Sequence, residues 1–204
     1  MNTVVVGRRE IVPSKIVCVG RNYAAHAREL GNEVPGSPVF FLKPNSAISP
    51  VLNSVHQKEV LHYEGEICLV YGEDRFDAVG FGLDITKRKL QSELKSKGLP
   101  WERAKAFDGS ALFGAFARTD QISDDLALEL MINGKPVQSG HISHMLFKPD
   151  TLLNHLAGFM TLNRGDIVMT GTPEGVGEIH AGDLFYGRIM DGDRPIATAE
   201  WQAC

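Results

Sequence analysis

"LHYEGEICLVYG", residues 61–72, sets two carboxylates, Glu64 and Glu66, two positions apart at the mouth of an apolar run. Side chains alternate between the faces of a strand, so the two glutamates share a face that continues with Cys68 and Val70. Tyr63, Ile67 and Leu69 take the opposite face. Both faces are apolar beyond the glutamates, which predicts a strand covered on both sides. A bare carboxylate in such surroundings is costly, and a second one beside it more so. Either the pair sits at an exposed strand mouth or something positive lies between its members.

Downstream, "AVGFGLDIT" (78–86) reads as a second strand ending in a carboxylate, Asp84, at a helix start. Two carboxylates on one strand face are about 7 Å apart at their Cα atoms, and their oxygens can converge on one hard cation with a magnesium-like preference for oxygen. If the two strands meet, Asp84 completes a three-oxygen site with open positions. The competing reading leaves the acids solvated at strand ends, with Asp84 assisting a helix N-terminus. Spacing alone leaves both open.

Further strands are expected at "SKIVCVG" (14–20), "PVFFLKP" (38–44), "DIVMTGTP" (166–173), "DLFYGRI" (183–189) and "RPIATAEWQ" (194–202). "LALELMINGKPVQ" (126–138) is an alternating hairpin with Asn133-Gly134 at a type I′ turn. Helices are expected at "RNYAAHAREL" (21–30), stopped by Gly31, and at "TKRKLQSELKSKG" (86–98), capped by Thr86, ended by Gly98 and carrying Leu90 and Leu94 on one face. A third opens "PDTLLNHLAGFMTLNRG" (149–165). Strands outnumber helices without alternating regularly with them. The expected class is therefore α+β, mainly β, with an antiparallel or mixed architecture and one domain over 1–204. "VGRNYAAH" lacks GxGxxG, and "TGTPEGVG" lacks the GK[ST] ending of a phosphate-binding loop.

The 204 residues suffice for a substantial core. A net charge of -4 gives no reason to expect nucleic acid or a membrane as partner. No apolar stretch approaches the ~20 residues of a membrane helix, and no signal peptide is expected. Three scattered cysteines, Cys18, Cys68 and Cys204, argue against a disulfide framework and for a reducing cytoplasm. Cys18 and Cys68 read as small buried hydrophobes.

His26 and Glu29 stand at i, i+3 on the first helix, where a carboxylate that orients a histidine makes it a better base for water. Alone, HxxE is weak evidence and fits a surface polar pair better. Lys105 lies among apolar neighbours, as a lysine that stabilises an oxyanion does, or one that snorkels. Arg88 and Gln91 could face a site at the second helix start. The Thr172 hydroxyl and the amides of its glycine-rich loop could hold a ligand carboxylate. Each also has an ordinary surface or turn reading.

Taken together, "VGRNYAAHARELG", "PVFFLKP", "HYEGEICLV", "LDITKRKLQ", "KGLPWERAKAFDGS", "INGKPVQ" and "GDIVMTGTPEGVG" resemble the fumarylacetoacetate hydrolase family, specifically its short acylpyruvase-like branch, over Val17 to Gly177. The resemblance implies a mixed β-sandwich or β-roll of the family's C-terminal-domain type, usually homodimeric. It implies Mg²⁺ or Mn²⁺ held by Glu64, Glu66 and Asp84, and a His26–Glu29 catalytic dyad on a mobile lid. It implies Lys105 and Gln91 beside a 2-oxo acid substrate, Thr172 at its carboxylate, and Arg21 and Arg88 within matching motifs. A compact stretch between Glu66 and Asp84, and the lack of a cysteine–proline after Ser110, bear on substrate choice more than on the metal.

The chemistry expected first is hydrolysis of a 2,4-dioxo acid, such as fumarylpyruvate, to pyruvate and a carboxylic acid. Here His26 deprotonates water and the metal holds the enolate. Oxaloacetate decarboxylation and isomerisation of an unsaturated 2-oxo diacid use the same electron sink. The oriented base favours hydrolysis, because decarboxylation breaks its bond without one. A non-catalytic metal or 2-oxo acid binder is the remaining alternative.

Overall fold

The computed structural model describes residues 1–29, 31 and 33–204. An N-terminal hairpin, β1 (Val4–Val6) and β2 (Arg9–Ile11), precedes β3 (Lys15–Gly20), helix α1 (Ala24–Glu29) and β4 (Val39–Pro44). Short strands β5 (Val55–His56), β6 (Glu59–Val60) and β7 (His62–Tyr63) lead into the long pair β8 (Gly65–Tyr71) and β9 (Phe76–Asp84). Helices α2 (Arg88–Ser96) and α3 (Glu102–Lys105) follow, then β10 (Ala111–Phe113), β11 (Ala117–Arg118), β12 (Leu126–Ile132), β13 (Lys135–His141) and helix α4 (Pro149–Ala157). The chain closes with β14 (Ile167–Met169), β15 (Gly177–Glu178), β16 (Leu184–Asp191) and β17 (Arg194–Gln202).

A seven-stranded mixed sheet runs β10-β9-β8-β14-β3-β4, with β11 also on β9; β14 and β3 are parallel. A second, antiparallel sheet runs β13-β12-β16-β17. The sheets pack face to face. Ile67 and Leu69 of β8, with Val79 and Phe81 of β9, meet Leu128 and Leu130 of β12 and Phe185 and Ile189 of β16. The other face of β8, Cys68 and Val70, packs with Ile16, Cys18, Ile167, Met169 and the N-terminal hairpin's Val4 and Val6. The central strand is covered on both sides, as its unbroken apolar run requires. The result is the mainly β sandwich expected, with few helices.

Two helix starts differ from expectation. The first helix begins at Ala24 rather than at residue 21, because Arg21 sits at φ +58 and Tyr23 bridges Met145. Leu30, included in that expectation, lies outside the described residues; Gly31 at φ +64 fits its stop role. Thr86 does not cap α2. Lys87 holds that position without a side-chain cap, and the Thr86 hydroxyl is drawn into the site below. The far end agrees, with Gly98 at φ +63. Asn133 and Gly134 both take positive φ, as a type I′ turn demands. Among the described residues no helix is long and apolar enough to cross a membrane. All three cysteines are free, and Cys18 and Cys68 are buried.

A candidate metal centre

Strands β8 and β9 are antiparallel neighbours, and the Asp84 amide donates to the Glu64 carbonyl at 2.9 Å. That register sets Asp84 across from Glu64, with Glu66 two residues on. Glu64, Glu66 and Asp84 are all buried, and one oxygen of each lies within 4.8 Å of the others. Three buried carboxylates this close demand cations.

Part of the charge comes from the protein. Lys105 donates to Glu64 Oε2 at 2.8 Å, Asp84 Oδ2 at 2.8 Å and Thr86 Oγ1 at 2.6 Å. Lys43, wholly buried, lies 2.8 Å from Asp84 Oδ1 and donates to the Lys105 carbonyl. Arg88 pairs with Glu64 and donates to Gln91 Oε1 at 2.7 Å. Burial works to raise the Glu64 carboxyl, but the charges of Lys105 and Arg88, with the Lys105 hydrogen bond, outweigh it and hold the group well below the carboxylate range. Glu66 goes the other way. Burial first, then repulsion from Asp84 and Glu64, pushes it well up, against one amide bond from Gly171 at 2.7 Å. Asp84 Oδ1 has no aligned hydrogen-bond donor among the described residues, although Lys43 is beside it. An all-oxygen cluster that includes a carboxylate repelled by its two neighbours fits a hard divalent cation.

The Gly65 backbone between the two glutamates is clamped. Its amide donates to Gln138 Oε1 at 2.8 Å, and its carbonyl accepts from the Thr172 hydroxyl at 2.9 Å. Gln138 Nε2 also donates to Thr172 Oγ1 at 2.8 Å. A Cβ on Gly65 would stand 3.0 Å from both Gln138 and Phe81.

His26 Nδ1 lies 3.1 Å from Glu29 Oε2, and Glu29 Oε1 accepts from the Gly175 amide at 3.1 Å. The carboxylate selects the tautomer that donates from Nδ1, which leaves Nε2 with its lone pair free of a proton. Gly175 sits at φ +93, where a Cβ would meet the Val137 carbonyl at 2.1 Å, so only glycine brings this amide to Glu29. His26 faces the cavity that Glu64, Glu66 and Asp84 line, together with Arg21, Phe41, Arg88, Gln91, Lys95, Trp101, Lys105 and Thr172.

Nine of the ten candidate residues thus line one cavity, and the tenth, Glu29, stands behind His26, with two changes of role. The Lys105 ammonium donates to three protein acceptors, so it braces the carboxylates where the sequence suggested a free oxyanion donor. The loop amides of Gly171 and Gly175 hold Glu66 and Glu29, and the Thr172 hydroxyl holds Gly65, where the sequence suggested a ligand carboxylate. Lys43, Lys95, Trp101 and Gln138 were not foreseen as site residues. A lysine inside the strand "VFFLKP" was the available signal for the first. Arg88, Gln91 and Lys95, at i, i+3 and i+7 on one helix face, were the signal for the second.

Residues 15–198 match the family model described as fumarylacetoacetate hydrolase C-terminal. The chain is 40% identical over 195 residues to a mitochondrial oxaloacetate tautomerase of Arabidopsis thaliana, covering 86% of each chain. It is 36% identical over 187 residues to an oxaloacetate tautomerase of Escherichia coli, covering 83% of this chain and 85% of that one. Its structure superposes on fumarylpyruvate hydrolase from Pseudomonas aeruginosa, solved with Mn²⁺ and pyruvate, with a TM-score of 0.89 and 30% identity, covering 99% of this chain and 95% of that one.

Proposed function

This chain belongs to the fumarylacetoacetate hydrolase family, and from that premise we propose that it is an oxaloacetate tautomerase, moving a proton between C3 and the C2 oxygen of a 2-oxo diacid. The observation that carries this reading is an oriented base, His26 on Glu29 on Gly175, facing a cavity shared by three carboxylates and the cations Arg21, Arg88 and Lys95. Toward the enol, His26 Nε2 takes the proton from C3 and the C2 oxygen gains one; toward the keto form, the C2 hydroxyl loses its proton and His26 Nε2–H delivers one to C3. Glu29 keeps the imidazole in the tautomer that can do so. Arg21 and Arg88 hold the dianion in register. What a Mg²⁺ or Mn²⁺ supplies when bound at Glu64, Glu66 and Asp84 is Lewis-acid charge against the keto oxygen where negative charge develops.

Hydrolysis of an acylpyruvate, favoured by the sequence, is kept as the second reading because of the likeness to fumarylpyruvate hydrolase. Its argument was the need for a base, and tautomerisation needs one equally. Relatives named oxaloacetate tautomerases, at 40% and 36% identity, support placing tautomerisation first. A homodimer is also proposed, to be checked by light scattering against the 22.4 kDa chain mass.

The test is stopped-flow decay of the enol-oxaloacetate absorbance with Mn²⁺ present. Wild type accelerates decay over buffer. His26→Ala loses about 100- to 10,000-fold and keeps the Mn²⁺-induced rise in Tm. Decay at the buffer rate alongside cleavage of fumarylpyruvate would return the assignment to hydrolysis, and inactivity on both would refute the enzyme reading.

A further inference from the structure

Helix α2 presents Arg88, Gln91 and Lys95 on one face along the cavity wall. Helical side chains lean toward the helix N-terminus, so the long Lys95 chain returns toward Arg88. Its ammonium lies 5.5 Å from the Trp101 ring centre, a cation–π contact, and Trp101 in turn packs on Phe41 at 5.9 Å. Arg21 enters the same space from the end of β3, at a left-handed φ of +58 that a non-glycine residue adopts at a cost. Three cations therefore converge beside the carboxylate cluster. Two of their donors, Arg21 Nε and Arg88 Nε, are buried with no hydrogen-bond acceptor among the described residues. Such donors are expensive to bury unless an anion occupies the space they border. Burial, then Arg21 and Arg88, also lowers the Lys95 ammonium, as expected of like charges crowded on one cavity.

We propose that Lys95, braced by Trp101 and acting with Arg21, receives the second carboxylate of a dianionic 2-oxo acid and is the residue that separates such diacids from their monoanionic analogues. The inference rests on reading this cavity as a 2-oxo acid site. It adds which end of the substrate is read, and by what.

The test compares wild type, Lys95→Met and Lys95→Arg, all with Mn²⁺. Two unreactive 2-hydroxy acids, malate (dianion) and lactate (monoanion), are titrated against tryptophan fluorescence, because Trp101 lines the cavity. Wild type prefers malate. Lys95→Met raises the malate Kd about 10- to 100-fold and leaves that of lactate within about twofold, while Lys95→Arg retains the preference. Exchange of the C3 protons in D₂O for oxaloacetate and 2-oxobutyrate follows the same split, mainly in KM. Parallel changes for both acids in Lys95→Met, or no malate preference in wild type, overturn the subsite. Binding discrimination without any C3 exchange would instead sink the tautomerase reading and leave the subsite standing.

Discussion

At the scale of single residues, the site is an electrostatic balance held inside the protein. Glu64 and Asp84 pair with Lys43, Lys105 and Arg88, while Glu66, repelled by both acids, rests on the Gly171 amide. Removing one member of a buried ion pair leaves the other uncompensated. Lys43→Met is therefore expected to lower unfolding stability by about 3 kcal/mol in a urea titration of the metal-free protein. An unchanged midpoint would mean that Lys105 alone compensates Asp84. The carboxylates were readable in the sequence because acids in an apolar strand are anomalous wherever they occur. Lys43 was equally anomalous in "VFFLKP", but nothing local says which acid a buried lysine will meet. Asp84 is 41 positions away, and the pair forms only when β4 and β9 are both in place.

At the scale of elements, the short parallel contact between β14 and β3 is latched by one carboxylate. Asp166 Oδ1 accepts from the Ser14 amide at 3.1 Å, the Ser14 hydroxyl at 2.6 Å and the Lys15 amide at 3.2 Å. Its other oxygen pairs with Lys15 and accepts from the Asn163 amide at 2.7 Å. Burial works to raise the Asp166 carboxyl, but bonds from Lys15, Ser14 and Asn163 prevail and hold it below its ordinary value. A depressed folded-state value stabilises the fold above the unfolded value, about pH 4, and the contribution fades as pH falls through the lower folded value. Asp166→Asn should thus cost about 2 kcal/mol at pH 7, with the gap from wild type closing below about pH 4. Urea titrations at pH 7 and pH 3 check this; a pH-independent gap would contradict it. Most elements were legible because their signals are local: alternation in β12 and β13, Asn133-Gly134 between them, and Gly98 after α2. Thr86 misled for the same reason. A threonine ahead of a helix is a good local cap, but the buried Lys105 ammonium needed its oxygen more.

Across the whole molecule, the second sheet holds the first sheet's metal candidates in place. Gln138 lies on β13, yet its amide clamps Gly65 between Glu64 and Glu66 and braces Thr172 from the loop after β14. Support of this kind around metal ligands is worth about 10- to 100-fold in affinity. Gln138→Leu should weaken Mn²⁺ binding by about that factor in calorimetry while the strand content by circular dichroism persists. Unchanged affinity would show that the backbone between the glutamates holds its position without the clamp.

The sequence by itself determined the mainly β class and the central covered strand with two carboxylates on one face, which follow from periodicity and from polarity in the wrong place. That Asp84 joins Glu64 and Glu66, and that His26 and Glu29 act as a pair, it left open until the family resemblance was added. Only the tertiary structure decided what each polar group is bonded to. It committed Lys105 to the carboxylates, gave the loop amides to Glu66 and Glu29, and brought Lys43, Lys95 and Gln138 to the site. The physical reason is that a buried donor or acceptor must find a partner wherever one is available in space, and distance along the chain carries no information about who that partner will be.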